Sequence, residues 1–254
     1  MLGKALVTGA TGFIGKRLTL ALLKKGWKVN VLVRPESKYS DLKKAGANII
    51  VGDIQELSAV KKAINNVNYV FNLAAVLPYH QQIESVYWSV NVGGIRNIIT
   101  ASSISKKVKI IQVSTVGIYA RSLDIYAKTK IEAEKLLRKH SSKGYPIVII
   151  RPTICYGPGD TRPGFLDLFR LVKKGIFIPI GKGDNFFHTI YVDNLVTALI
   201  LASQKKAAEG EGFIIGDDPS PRMANIIEII YHIFGKKMPN LYIPKNIALG
   251  IGYL

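Results

Sequence analysis

Short runs rich in Val, Ile and Leu alternate along the chain with longer stretches in which apolar residues return every three or four positions. The short runs, at residues 5–8, 29–33, 47–51, 67–72, 108–114 and 146–151, predict β-strands. Between them, residues 13–25, 41–45, 57–64, 85–105 and 124–140 carry the spacing of helices. Strands that read as continuous apolar runs are expected to be covered on both faces. Such strands, separated by helices, make a parallel sheet, and right-handed crossovers then lead to a doubly wound α/β fold.

After Arg151 the texture changes. Pro152, Gly157, Pro158, Gly159, Pro163, Gly164, Gly175, Pro179, Gly181 and Gly183 break the chain into loops around one amphipathic segment at 165–174. A strand-plus-helix pattern follows at 189–203, then an apolar strand at 213–215 and a helix at 223–234. This half is expected to form a smaller, discontinuous lobe over one end of the sheet. No internal repeat or low-complexity segment interrupts either half.

Composition narrows the class. Of 254 residues 48% are hydrophobic and 20% charged, which supports a buried core and excludes disorder. The single cysteine, Cys155, excludes an intramolecular disulfide, and His80, His140, His188 and His232 show no paired metal-ligand spacing. No metal is therefore expected, and a reducing, cytoplasmic setting fits. No signal peptide is visible, and no uncharged apolar run reaches the roughly 18 residues of a membrane span.

The net charge of +18, from 35 Lys+Arg against 17 Asp+Glu, raises nucleic acid as a partner. The distribution argues otherwise. Lysines come as doublets (24–25, 43–44, 61–62, 106–107, 173–174, 205–206, 236–237), mostly at the ends of helical patterns, where cations complement the helix dipole and stay solvated. No nucleic acid partner is expected, although a positive field still favours anionic cofactors or anionic lipid head groups.

Residues 5–8 run directly into Gly9-Ala10-Thr11-Gly12-Phe13-Ile14-Gly15, and a helix opens immediately after. Glycines in a strand–turn–helix allow a tight turn and close approach of the backbone to a pyrophosphate, which the exposed N–H groups and the positive helix end then hold. An acidic residue about 20 positions on would bind the adenosine ribose of NAD. Here that place holds Val33, followed by Arg34. With no carboxylate to repel a 2′-phosphate and a guanidinium to pair with it, helped by Ser37 or Lys38, the chemistry favours NADP over NAD.

Tyr126 and Lys130 stand four apart, on one face of a helix. An ammonium close to a phenol favours the phenolate and is expected to lower the phenol pKa, making Tyr126 a general acid or base for a carbonyl/alcohol couple. Tyr39 and Lys43 share the spacing without the setting. The difference is the strand before Tyr126, which ends at Ser114-Thr115 on the sheet edge where ligands bind.

Together these residues resemble the short-chain dehydrogenase/reductase superfamily, in particular its extended branch of epimerases, dehydratases and reductases. Ordered matches are TGATGFIG (8–15), GDI (52–54), NLAA (72–75), NVGG (91–94), VSTVGIYA (113–120), YAKTK (126–130), RPTICYGPG (151–159) and IYVDNLVTA (190–198). The resemblance implies that Asp53 bonds the adenine amino group with Ile54 beside it, and that Leu73, Ala74 and Ala75 lie along the cofactor ribose. It implies that Thr115, with Ser114 as its neighbour, bonds the substrate oxygen, that Tyr126 exchanges the proton, and that Lys130 holds the nicotinamide ribose. Asn91 falls where the family has a water-organising asparagine, and Pro152, Thr153 and Ile154 border the nicotinamide. Alternatives stay open: Asp53 closing a turn, Asn91 bonding within its helix, Thr115 bonded to backbone, and Cys155 a buried hydrophobe.

Nucleotide-sugar members of this branch carry an asparagine where this chain has Ile154, and an arginine near Phe186-Phe187. Ile and Phe remove diphosphate donors and add apolar wall, with Lys182 or Lys174 left as substitutes. The resemblance therefore points to the dihydroflavonol-reductase and 3β-hydroxysteroid-dehydrogenase-like groups: an NAD(P)-dependent oxidoreductase interconverting a ketone and a secondary alcohol, with a small-molecule hydroxy/keto substrate. The alternative is a nucleotide-sugar epimerase or dehydratase with tightly held NAD. Residues 1–154 are expected to be the dinucleotide-binding domain, with 186–204 packing back on it, and 155–185 plus 205–254 the substrate lobe. That lobe is expected to be cut short, since similar proteins run on beyond the apolar, basic segment 243–254, which suits a weak peripheral membrane contact. Helices 85–105 and 124–140 are the ones that pair in homodimers of this family.

Overall fold

The computed structural model describes residues 3–103, 108–239, 241–244 and 246–248. A seven-stranded, wholly parallel sheet holds the molecule together. Its first half is β1 (Lys4–Thr8), α1 (Phe13–Lys24), β2 (Lys28–Val33), α2 (Ser40–Lys44), β3 (Asn48–Val51), α3 (Leu57–Ile64) and β4 (Tyr69–Asn72). Next come α4 (Glu84–Tyr87), a π-helical stretch Trp88–Gly93, α5 (Gly94–Ser102), β5 (Lys109–Val113), α6 (Ile125–Ser141) and β6 (Ile147–Pro152). The remainder holds β7 (Ile154–Tyr156), α7 (Phe165–Lys174), β8 (Thr189–Tyr191), α8 (Val192–Gln204), β9 (Gly212–Ile215) and α9 (Met223–Ile233).

The strand order β3-β2-β1-β4-β5-β6-β9 reverses direction at β1, so the doubly wound fold expected from the pattern is present, with its switch point beside the glycine turn. The continuous apolar strands are indeed covered on both sides: β5 and β6 are buried along their whole length. One face carries Leu18 and Leu22 of α1, Leu42 of α2 and Leu195 and Leu199 of α8. The other carries Val60 and Ala63 of α3, Ile95 and Ile98 of α5 and Ala133 and Leu137 of α6. Every crossover thus brings its loop to the same C-terminal edge of the sheet, which is where the site is built.

Three features depart from the sequence pattern. Residues 85–105 are helical without a break through Ser102, but the run changes to π-helix between α4 and α5, and 104–105 lie outside the described residues. Residues 212–215, grouped above with the small lobe, are instead the seventh strand of the main sheet, paired with β6. A Cβ on Gly212 would lie 2.8 Å from Nη1 of the buried Arg151. β7 and β8 pair with each other as a separate two-stranded sheet.

Helices α7 and α9 pack through Val172, Ile226, Ile227, Ile230 and Tyr231, with Phe165, Leu168, Phe169, Phe177 and Phe187 around them. The Asp-Asn pair of the 190–198 match has a structural use. Asp193 accepts from Arg17 Nε at 2.7 Å, fixing α8 to α1, and Asn194 Nδ2 donates to Asp217 at 3.0 Å. Among the described residues no helix is long and apolar enough to cross a membrane, and no group of three His, Cys, Asp or Glu residues is placed to hold a metal. The tail 243–254 lies largely outside the described residues.

Candidate active site

A cleft of about 1490 Å³ runs along the C-terminal edge of the sheet and under the small lobe. Pockets for small ligands are usually about 300–1,000 Å³, so this one has room for a dinucleotide and a second molecule. At its centre is the turn after β1. Gly9 has φ +65°, and a Cβ on it would stand 2.7 Å from the Leu73 carbonyl carbon. A Cβ on Gly15 would stand 2.1 Å from the Gly9 carbonyl oxygen, so the start of α1 packs directly on the turn. Gly12 caps α1 in extended backbone with no side chain bonded to the helix N–H groups. Those N–H groups therefore face the cleft, lined here by Thr11, Gly12, Phe13, Ile14 and Gly15.

The same edge supplies the neighbouring loops. Arg34 and Ser37, after β2, line the cleft, with buried Val33 beneath; Lys38 does not line it. Arg34 Nε lies 3.0 Å from Glu36 Oε1, in an exposed ion pair. Asp53 lines the cleft after β3, and its Oδ1 accepts from the Gln55 backbone N at 2.8 Å and Nε2 at 3.2 Å, so it also closes its own turn. Ile54 is buried against Gly94, while Leu73, Ala74 and Ala75 after β4 border the cleft. Thr8 joins Asn72 side chain to side chain, Asn72 Nδ2 donates to Gln112 at 2.8 Å, and Thr8 Oγ1 accepts from Ala74 N at 3.3 Å. A row of buried polar groups across β1, β4 and β5 thereby holds the two loops in register.

Asp124 caps α6, accepting from Ala127 N at 2.7 Å, and sets the face that carries Tyr126 and Lys130 into the cleft. The structure corrects the expected charge relationship between them. Lys130 Nζ donates to the Val113 carbonyl at 2.6 Å and stands 5.8 Å from the centre of the Tyr126 ring. Burial pushes the Tyr126 phenol above its ordinary value, and Asp124 and Tyr79 push the same way; the opposing cation is Arg162. Burial also pushes Lys130 down to about 8, against the pull of Glu134.

Thr115 lines the cleft and its Oγ1 accepts from Gly117 N at 3.0 Å, leaving its O–H to donate. Ser114 and Thr153 also line the cleft, and both hydroxyl oxygens are buried with no hydrogen-bond partner. Asn91 is placed differently. It is buried outside the cleft lining, where its Oδ1 accepts from Val76 N at 2.8 Å and its Nδ2 donates to Val76 O at 3.2 Å and to Thr129 Oγ1 at 3.0 Å. Its carboxamide ties the loop after β4 to the helix of Tyr126. The π-helical stretch makes this reach, as such stretches often do near functional sites.

Pro152, Thr153 and the half-exposed Ile154 form one side of the far end of the cleft. Phe165, Leu168, Phe177, Phe187, Met223 and Ile227 form the other, and Lys174 and Lys182 lie outside the lining. Cys155 is buried, and burial pushes its thiol up to about 12, so it packs as a small hydrophobe. Sequence reasoning missed Arg162, which lines the cleft beside Asp160. Its only local signal was an arginine two residues after an aspartate in a Gly/Pro-rich loop.

A family model for the NAD dependent epimerase/dehydratase family matches residues 5–216. Among curated proteins, the chain is 29% identical over 278 residues to a 2-alkyl-3-oxoalkanoate reductase of Shewanella oneidensis, covering 98% of this chain and 70% of the relative. It is 27% identical over 264 residues to N-acetyl-alpha-D-glucosaminyl-diphospho-ditrans,octacis-undecaprenol 4-epimerase of Escherichia coli O157:H7, covering 98% and 77%. Among solved structures it resembles UDP-glucuronic acid 4-epimerase from Bacillus cereus in complex with NAD, at TM-score 0.78 and 25% identity over 95% of this chain and 87% of that one. The family match takes in all seven strands of the parallel sheet, and the chain belongs to the NAD dependent epimerase/dehydratase family, the extended short-chain dehydrogenase/reductase enzymes.

Proposed function

We propose that the protein reduces a ketone on a largely apolar small molecule to a secondary alcohol, reversibly, with NADP as its preferred dinucleotide. The observation that carries this reading is the far wall of the cleft. Phe165, Leu168, Phe177, Phe187, Met223 and Ile227 line the cleft together with Ile154, and they outnumber the polar Arg162 and Asn185 of the same segments. The relatives' names divide between reductases and epimerases, and the apolar lining is what supports the first of these readings.

The residues fit a dinucleotide. The α1 N–H groups have no side-chain cap, and the hydroxyls of Ser114 and Thr153 are buried in the cleft without partners. Gly9, Thr11, Gly12, Phe13, Ile14 and Gly15 would hold the pyrophosphate, and Asp53 with Ile54 the adenine. Leu73, Ala74, Ala75 and Lys130 would hold the riboses, and Pro152 and Thr153 the nicotinamide edge. Arg34, with no carboxylate at Val33, would take a 2′-phosphate in exchange for its exposed contact with Glu36. When bound, the nicotinamide supplies the hydride for the carbonyl carbon.

The chain's own residues handle the oxygen. Tyr126 donates its phenolic proton to the carbonyl oxygen, and Thr115 donates its remaining O–H to the same oxygen. A phenol held above its ordinary pKa is fully protonated at neutral pH, the state that ketone reduction requires. Asn91 acts at one remove, keeping the Tyr126 helix and the loop after β4 at a fixed separation.

Thermal-shift binding of NADPH, NADH, UDP-sugars and apolar ketones, followed by dinucleotide-absorbance assays on the ketones, tests the reading. Stabilisation by NADPH and turnover of an apolar ketone are expected. Stabilisation by a UDP-sugar without ketone turnover would replace it with a nucleotide-sugar epimerase.

A further inference from the structure

We propose that the outer face of the small lobe, built from the segment 175–182, the outward side of α9 and Leu241, docks on an anionic phospholipid bilayer. α9 is apolar around most of its circumference, wider than the single stripe a surface helix carries. Its Ile226, Ile227 and Ile230 pack inward, yet Ile229 and Ile233, four apart, are exposed. The segment after α7 alternates in the same way. Phe177 packs into the lobe, its carbonyl accepting from the Tyr231 hydroxyl at 2.9 Å, and Pro179 is buried. Ile176, Ile178 and Ile180 stand out between them. With Leu241, these five isoleucines are between 41% and 63% exposed. Backbone bonds join the pieces: Ile243 N donates to the Pro179 carbonyl at 2.8 Å and Gly181 N to the Ile243 carbonyl at 2.9 Å. Lys236 Nζ donates to the Lys173 carbonyl at 2.5 Å, tying the chain after α9 to the end of α7.

Contiguous exposed apolar surface marks an interaction site, and the charge around this one selects its occupant. Lys173, Lys174, Lys182 and Lys237 are exposed on the same segments. Asp167 and Asp184 already pair with Arg170 and Arg222, which leaves Glu228 as the carboxylate of α9 to set against them. A second copy seated face to face would press lysines against lysines, which disfavours it. An anionic bilayer suits both parts. The isoleucines enter the boundary between headgroups and acyl chains, and the lysines stay among the headgroups. The net charge of +18 draws the molecule to such a surface. Because Phe177, Ile178, Pro179 and Ile180 line the apolar end of the cleft, docking sets that end against lipid.

The full chain is floated with vesicles of phosphatidylcholine alone, and of phosphatidylcholine with about one-third phosphatidylglycerol. Each is run at about 0.1 and about 1 M salt, where the Debye length is about 10 and about 3 Å. Binding is expected to the anionic vesicles only, and should fall in high salt. Lys173→Gln with Lys174→Gln should weaken it about 30-fold, equivalent to about 1 kcal/mol per lysine. Ile176→Ser with Ile180→Ser should weaken it at least about tenfold. Orientation is read in parallel. Cys155 is buried, so a polarity-sensitive dye attached to Ile176→Cys reports from that position. The control is Asn65→Cys, exposed between α3 and β4 at the opposite edge of the sheet. Emission should shift to the blue at position 176 and stay unchanged at 65. Equal binding to both kinds of vesicle, binding to neither, or equal shifts at the two positions overturns the proposal. Dimerisation in the absence of lipid that is lost with Ile176→Ser assigns the face to a second copy and overturns it as well. No arm of the test needs dinucleotide or turnover, so its failure is distinct from failure of the ketone reading.

Discussion

Lys130 and Val113 are joined by a 2.6 Å hydrogen bond from a buried ammonium to the last carbonyl of a buried strand. The bond satisfies a charge that the cleft floor would otherwise leave bare, and it fixes the direction of the side chain beneath Tyr126. It also holds the ammonium over the Tyr126 ring, 5.8 Å from its centre. Whatever Lys130 contributes, it contributes from a position set by the strand.

Burying that ammonium should cost stability in a pH-dependent way. The folded-state pKa is about 8, against about 10.4 in an unfolded chain. Below pH 8 the lysine is charged in both states and the fold bears the whole cost. As pH rises from 8 towards 10.5 the folded state sheds the proton first, so stability rises. Lys130→Met lacks this titration. Between pH 7 and 10.5 the wild type should gain about 3 kcal/mol relative to the variant. Urea unfolding of both proteins across that range measures it; parallel curves would place the ammonium in a better-solvated site than the structure gives.

Tyr126→Phe removes the only atom of that side chain able to move a proton and leaves the glycine turn untouched. Ketone turnover should fall by at least about 100-fold, as for loss of a general acid. Dinucleotide affinity, measured by fluorescence titration, should change less than about threefold, since the aromatic ring still packs in place. Unchanged turnover would take the proton step away from Tyr126.

The sheet was legible because its information is local: continuous apolar strands, a helix after each, and glycines at the one turn where a Cβ would strike Leu73. The edge loops followed, since parallel strands send all of them to one side. What was not legible depends on contacts between distant segments. Asn91 looks like any helical asparagine until the π-helical stretch lets it reach both Val76 and Thr129. Residues 212–215 read as part of a lobe because nothing local says that they pair with β6, about sixty residues earlier. The direction of the Tyr126 shift was misread from spacing alone, which places Lys130 on the same helical face but says nothing of how deeply the phenol is buried.

Cofactor preference should turn on the end of β2. Val33 is a buried residue of the cleft lining and Arg34 is exposed at its rim, so the two can be altered separately. Val33→Asp places a carboxylate where a 2′-phosphate would lie and where a ribose diol would be welcomed. Arg34→Ala removes the paired cation. Either change should lower the NADP to NAD ratio of kcat/KM by about tenfold, equivalent to about 1.4 kcal/mol. Equal losses for the two dinucleotides would show that Arg34 serves only its surface pair with Glu36.

A buried ion pair lies behind the site. Arg151 of β6 and Glu134 of α6 make two parallel hydrogen bonds, at 2.9 and 2.5 Å, with side chains only 6% and 7% exposed. Removing one partner strands the other's charge in the interior. Glu134→Gln should therefore destabilise the fold by about 3 to 5 kcal/mol, whereas Glu134→Leu combined with Arg151→Met should recover most of that loss. The carboxylate also supports the charge on Lys130, so its removal lets burial push that lysine below about 8. In Glu134→Gln the pH window of the lysine-linked stability change should begin at a lower pH than in the wild type, again referenced to Lys130→Met. A variant that is destabilised with the window unmoved would confine the pair to holding α6 against the sheet, with no electrostatic reach into the cleft.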